Sequence, residues 1–152
     1  MRSAHVYRRR SQLLIQPQST TTDGVGIAEG PCLVLAADAN ARELGEAVRG
    51  AFAFCVERLP HPRRDEWNRV GRALLAAAGV RSWSAFEAHA TLVSVALERD
   101  ALSILPTLAE KKGYSPLRER ERRLPLVSTA EELGQAILEA LVLAAETVPE
   151  DR

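Results

Sequence analysis

The 152-residue sequence carries no net charge, because 20 lysines and arginines balance 20 aspartates and glutamates. A protein held to nucleic acid by its own field normally has a strongly basic domain, so this balance argues against that class. No apolar run approaches the roughly 18 residues needed to cross a bilayer. Met1, Arg2, Ser3, Ala4 and His5 lead straight into a strand-like stretch, without the apolar segment of a secretory signal. These absences predict a cytoplasmic protein with no membrane contact. The length suits one domain over residues 1–152, large enough to bury about 68–70% of its unfolded surface without staples.

Groups for chemistry are also scarce. The only cysteines are Cys32, inside the apolar run Pro31 to Ala37, and Cys55, which follows an apolar helix face. Both read as buried structural thiols rather than a disulfide or a catalytic pair. His5, His61 and His89 lie far apart, and none pairs with a cysteine at zinc-ligand spacing. Cys55 and His61 lack an orienting third group, and Pro60 and Pro62 bracket the histidine in a loop. There is no phosphate-binding Walker loop, and Asp23-Gly24-Val25-Gly26 lacks the dinucleotide spacing. Asp38 and Glu43 stand at a helix start, where capping and the helix dipole account for them. The sequence therefore predicts no cofactor, no metal and no catalytic set, and a protein that works by binding.

What is present is a duplication. Glu43-Leu44-Gly45 matches Glu132-Leu133-Gly134 at an offset of 89, and the offset holds without a gap. Val6 meets Val95, Leu13 meets Leu102, Ile15 meets Ile104, Pro17 meets Pro106 and Gly24 meets Gly113. In each copy two short apolar runs flank a polar turn, at Arg9 to Gln12 and at Glu98 to Asp100, which reads as a β-hairpin. Pro17 and Pro106 lack a ladder donor and are expected at strand ends or edges. Third strands follow at Cys32 to Ala36 and at about Arg120 to Val127. Asn40 with Glu43, and Thr129 with Glu132, match capping boxes that open apolar-striped helices. Gly45 and Gly134 inside those helices are expected to permit close packing on a sheet.

The predicted fold class is α+β. Two β-hairpin/strand/helix units, about 4–58 and 91–145, are related by a pseudo-two-fold axis, with helices packed on antiparallel sheet. A helical insert over about 59–90 separates them: one helix capped by Asp65 and stopped by Gly79, then a short one with Trp83 and Phe86 pointing inward. Residues 146–152 form a polar tail expected to fray. The pattern is compatible with one continuous sheet or two. Arg8-Arg9-Arg10 falls in a hairpin turn, and Arg118 to Arg123 alternates in sign along an expected edge strand. Solvated, aggregation-blocking charge accounts for both runs, and the alternative is a small RNA-binding module built on them.

The stretch Ala77-Ala78-Gly79-Val80-Arg81-Ser82-Trp83-Ser84-Ala85-Phe86-Glu87, with Ala90 to Val95, resembles the immunity proteins of bacterial contact-dependent growth inhibition. The resemblance continues through Ile104 to Thr107, Lys112-Gly113-Tyr114 and Glu131 to Ala136, and returns at Asp23-Gly24-Val25 and Glu43 to Val48. It spans about Val6 to Leu141 and rests on glycines, caps and core residues. The Gly26 to Gly30 loop and the arginine-rich strand of the second copy depart from it.

The resemblance implies a partner: the toxic C-terminal domain of the cell's own effector, commonly a nuclease, bound one to one with nanomolar affinity or better. No interface residue carries over from the family. Against a basic nuclease groove the complementary groups are exposed carboxylates, and Asp23, Glu29, Glu98, Asp100 and Glu110 are the candidates, expected together on one rim.

Overall fold

The structure, a computed structural model, describes residues 2–146. All of the expected frayed tail except Glu146 lies outside the described residues. The first unit contains β1 (Arg2–Arg9), β2 (Gln12–Thr20), β3 (Gly26–Ala28), β4 (Leu33–Ala36) and α1 (Ala41–Phe52). The insert has a 3-10 turn (Arg64–Arg69), α2 (Arg72–Ala78) and α3 (Trp83–Glu87). The second unit contains β5 (Ala90–Leu97), β6 (Leu102–Ala109), β7 (Tyr114–Pro116), a 3-10 turn (Arg118–Arg120), β8 (Arg122–Leu124) and α4 (Ala130–Ala145).

One antiparallel sheet joins the two units in the order β3-β2-β1-β5-β6-β7, with β4 also on β2 and β8 also on β6. β1 and β5 form the seam. Their register pairs His5 with Ser94, which is the residue 89 positions later in the chain. A residue paired with its own repeat equivalent marks the pseudo-two-fold axis, and the pairs from Arg2 with Leu97 to Arg8 with Thr91 are symmetric about it.

Pro17 and Pro106 lie inside β2 and β6 rather than at their ends. β2 pairs with β4 through Ile15 and resumes pairing, now with β3, at Gln18. β6 likewise leaves β8 at Ile104 and joins β7 at Thr107. Each proline therefore occupies the gap where the outer neighbour changes, the one interior place where a missing N–H costs no ladder bond.

Both sheet faces are covered, which is why Leu13-Leu14-Ile15 is an apolar run without alternation. Leu13, Ile15, Val93, Val95, Leu102 and Ile104 pack against α1 and α4, together with Leu44, Val48, Leu133, Ile137 and Leu141. On the other face Tyr7, Leu14 and Leu92 pack with Leu74 and Phe86 of the insert. The insert helix expected from Asp65 to Ala78 is in two pieces. Gly71 sits at φ +77° and breaks it, and a side chain there would overlap the Trp83 ring. Phe86 points inward as expected, whereas Trp83 lies over Gly71 and stays exposed. Thr129 and Glu132 form the full capping box. At Asn40 the side chain accepts the Glu43 amide, but Glu43 turns to the Asn40 side-chain amide instead of the backbone.

Gly45 and Gly134 serve a helix crossing, not helix-to-sheet packing. A Cβ on Gly45 would overlap the backbone carbonyl of Ala130, and one on Gly134 that of Ala41. The two contacts are symmetry equivalents, so the same axis that passes between β1 and β5 passes between α1 and α4.

Gly45→Ala is expected to destabilise the protein by about 1–3 kcal/mol in urea titrations, overpacking outweighing the helix-propensity gain. Gly50→Ala, where the added methyl meets nothing within 4 Å, should stabilise it by about 0.5–1 kcal/mol. A neutral Gly45→Ala would contradict the close crossing.

Burial in the sheet centre pushes the His5 pKa down from 6.5 to about 4. Between those values the unfolded chain binds a proton that the native chain refuses, so stability falls with pH from about 6.5 to 4. The stability difference between wild type and His5→Gln should shrink by up to about 3 kcal/mol between pH 7 and pH 4. A pH-independent difference would contradict a half-buried imidazole held neutral in the native sheet.

Candidate functional site

β2 runs out into three consecutive threonines, Thr20, Thr21 and Thr22, and Thr21 is buried. Its Oγ1 accepts the amides of Asp23 (3.3 Å) and Val25 (3.2 Å), folding the β2–β3 loop back on itself. The remaining hydroxyl proton suits His61 Nδ1, 3.0 Å away, and leaves the neutral ring protonated at Nε2. Asp23 Oδ2 lies 3.6 Å from the same nitrogen, and the ring meets Trp67 edge-on at 5.3 Å.

The chain after α1 reaches this place by backbone pairing. Thr20 N–H donates to Val56 O (2.9 Å), Leu59 N–H to Thr20 O (3.0 Å) and Thr22 N–H to Leu59 O (2.8 Å). Residues 56–59 thus continue the sheet beside β2, beyond its last pair with β1 at Ser3. Between this segment and β3 opens a cleft of about 280 Å³, with Ile27, Leu59 and Pro60 as apolar wall and Glu29, Glu66 and Arg69 as polar wall. A second cleft of about 160 Å³ shares Glu29 and Arg69 with it. Buried Gln16 pins this corner, its amide donating to the carbonyls of Pro17 (3.1 Å), Glu29 (3.3 Å) and Gly30 (3.2 Å).

The five candidate carboxylates do not share one rim. Asp23, Glu98 and Asp100 lie at the same end of the sheet, where β2 and β5 finish and β1 begins. Glu98 and Asp100 both reach Arg123, at 2.8 and 3.4 Å. Glu29 is exposed on the outer edge beside the clefts. Glu110 follows β6 at the opposite end and accepts from the Ser115 hydroxyl. An antiparallel two-fold sends equivalent loops to opposite ends, and for that reason Asp23 and its repeat equivalent Lys112 stand far apart.

The arginine runs do not make a basic stripe. Arg9 is in β1, buried, with Nε and Nη2 donating to Phe86 O and Ala85 O (both 3.3 Å) and its guanidinium 5.9 Å from the Phe86 ring. It caps the end of α3. Arg118–Arg120 is a 3-10 turn rather than strand, so the expected side-to-side alternation is lost. Arg122 pairs with Glu139 (2.7 Å), and Arg123 is taken by Glu98 and Asp100.

Both cysteines are free and half-buried, and burial pushes the Cys32 thiol up to about 11. Cys55 Sγ donates to Ser3 O (3.2 Å), a partner set separate from that of His61. Among the described residues no three His, Cys, Asp or Glu side chains converge as metal ligands would, and no helix is long and apolar enough to cross a membrane. The carboxylate arithmetic of the sequence does not reach Trp67 and Arg69, and the sequence weighs His61 only as a metal ligand or as a base for Cys55. Their only signal is that the insert has no counterpart in the second copy.

This fold recurs in solved structures. A Neisseria meningitidis protein of unknown function superposes with a TM-score of 0.75 at 18% identity, covering 94% of each chain. A CdiA-CT/CdiI toxin and immunity complex from Yersinia pseudotuberculosis superposes with a TM-score of 0.72 at 18% identity, covering 97% of each chain. No curated protein sequence matches the chain. The model of the family described as CdiI, CDI immunity protein, matches residues 58–143, which takes in the insert and nearly all of the second unit. The chain belongs to the CDI immunity protein family.

Proposed function

We propose that this protein binds the toxic C-terminal domain of its own cell's contact-dependent growth inhibition effector, one to one, and neutralises it in the cytoplasm. The family match over residues 58–143 carries this reading. The recurrence of the fold in a toxin and immunity complex supports it. The toxin domain is a nuclease with a basic substrate groove, and Asp23 and Asp100 at one end of the sheet face it, with half-buried Glu98 beside them in its ion pair with Arg123. Glu29 extends that surface along the outer edge, and Glu110 marks the far end. One escaped nuclease molecule is harmful, so the affinity is nanomolar or tighter, about −12 kcal/mol.

The RNA-binding alternative needs accessible, clustered arginines, and Arg9, Arg122 and Arg123 are engaged within the protein. Calorimetry with the toxin domain encoded beside the gene should give nanomolar one-to-one binding, and an unrelated toxin domain none. Reversing Asp23, Glu98 and Asp100 to lysine together should weaken binding at least about 100-fold. Glu110→Lys alone should leave it within about threefold. Absence of cognate binding would reject the reading, and unchanged affinity in the triple variant would reject the acidic face.

A further inference from the structure

The duplication supplies an internal control for each surface residue that has a twin in the other unit. After β8, Ser128 N–H donates to Pro125 O (3.0 Å), closing a turn that presents Leu126 and Val127. The twin after β4 is closed in the same way by Ala39 N–H on Ala36 O (2.9 Å), and presents Ala37 and Asp38. Asp38 is an ordinary turn residue; Val127 is a poor one. Leu126 is 38% exposed and Val127 is 91% exposed. Nothing in the turn's own geometry asks for two large apolar groups in water, since the twin folds without them.

The surroundings are also polarised relative to the twin. Glu131 stands where the first unit has Arg42 and Asp100 where it has Ser11, while Asp23 of the first unit stands where the second has Lys112. All three carboxylates belong to the end of the sheet that carries the Leu126-Val127 turn. The two cations gained on β8, Arg122 and Arg123 in place of Leu33 and Val34, are held in ion pairs with Glu139 and Glu98. Beside the turn a cleft of about 350 Å³ lies between β8 and the start of α4, floored by Leu124 and edged by Glu131 and Glu132 on one side and by Arg122 on the other. The turn is tied to α1, with the Arg49 guanidinium donating to the Ser128 carbonyl. A preorganised apolar knob pays little ordering entropy on binding.

We infer that Leu126 and Val127 are the central anchor of the toxin interface, entering an apolar socket ringed by basic side chains. This rests on the proposed function and names the part of the surface that performs it. Such a small, fully desolvated apolar centre inside a charged ring is where binding energy concentrates.

The test replaces the turn by its twin, Leu126→Ala with Val127→Asp, a sequence the same backbone already accepts. Thermal stability should be unchanged, while affinity for the cognate toxin domain falls at least about 100-fold. Leu126→Met with Val127→Ile, which keeps the knob apolar, should hold affinity within about fivefold. If wild type and twin variant bind equally tightly, the anchor is overturned and the proposed function stands. If wild type itself does not bind the toxin domain, both fall. If the knob instead pairs two copies, sedimentation will show a wild-type dimer and a monomeric twin variant of unaltered toxin affinity, which also overturns the inference.

Discussion

The approach of α1 to α4 through Gly45 and Gly134 is the contact on which the rest of the arrangement depends. Each glycine faces a backbone carbonyl of the other helix at a separation that excludes even a methyl group. Because the two contacts are equivalent, they hold the helices on the axis that also relates β1 to β5. Leu44, Val48, Leu133 and Ile137 then reach the sheet face formed by Leu13, Ile15, Leu102 and Ile104. A wider crossing would lift those side chains off the sheet and leave voids that a close-packed interior does not tolerate.

A two-fold scaffold has two like ends, and a binding protein needs them to be unlike. The insert supplies part of the difference. It packs on the sheet's second face, uses Arg9 to cap α3, and brings His61 and Trp67 to the β2–β3 loop. Charge supplies more. Net charge is zero for the chain, yet Asp23 and Lys112 occupy equivalent positions at opposite ends. The composition therefore hides a polarity that only the register of β1 with β5 reveals.

The repeat, the caps and the helix stripes were legible because each is a local pattern with a fixed spacing. Thr129 with Glu132 needs three residues of sequence, and the observed hydrogen bonds follow the pattern. What a stripe or a glycine packs against is not local. Gly45 and Gly134 advertise close approach, and the neighbour proved to be a helix because the axis puts α1 on α4. Pro17 and Pro106 advertise a missing donor, and the gap between two outer neighbours serves as well as a strand end. The five carboxylates were chosen as exposed loop residues, and an offset of 89 fixes equivalence without direction. Hence the antiparallel seam separates Glu110 from Asp23. Arg9 reads as solvated in sequence because nothing nearby announces the distant carbonyls of Ala85 and Phe86 that hold it.

In the proposed function the protein acts by occupying its partner, without turnover. Titrating the purified protein into a fixed amount of active cognate toxin domain tests this directly, with residual toxin activity as the readout. The account predicts a linear fall that ends at one equivalent and returns when the complex is dissociated. Complete and lasting loss of toxin activity at a small fraction of an equivalent would mean that the protein modifies its partner catalytically, and would contradict the account.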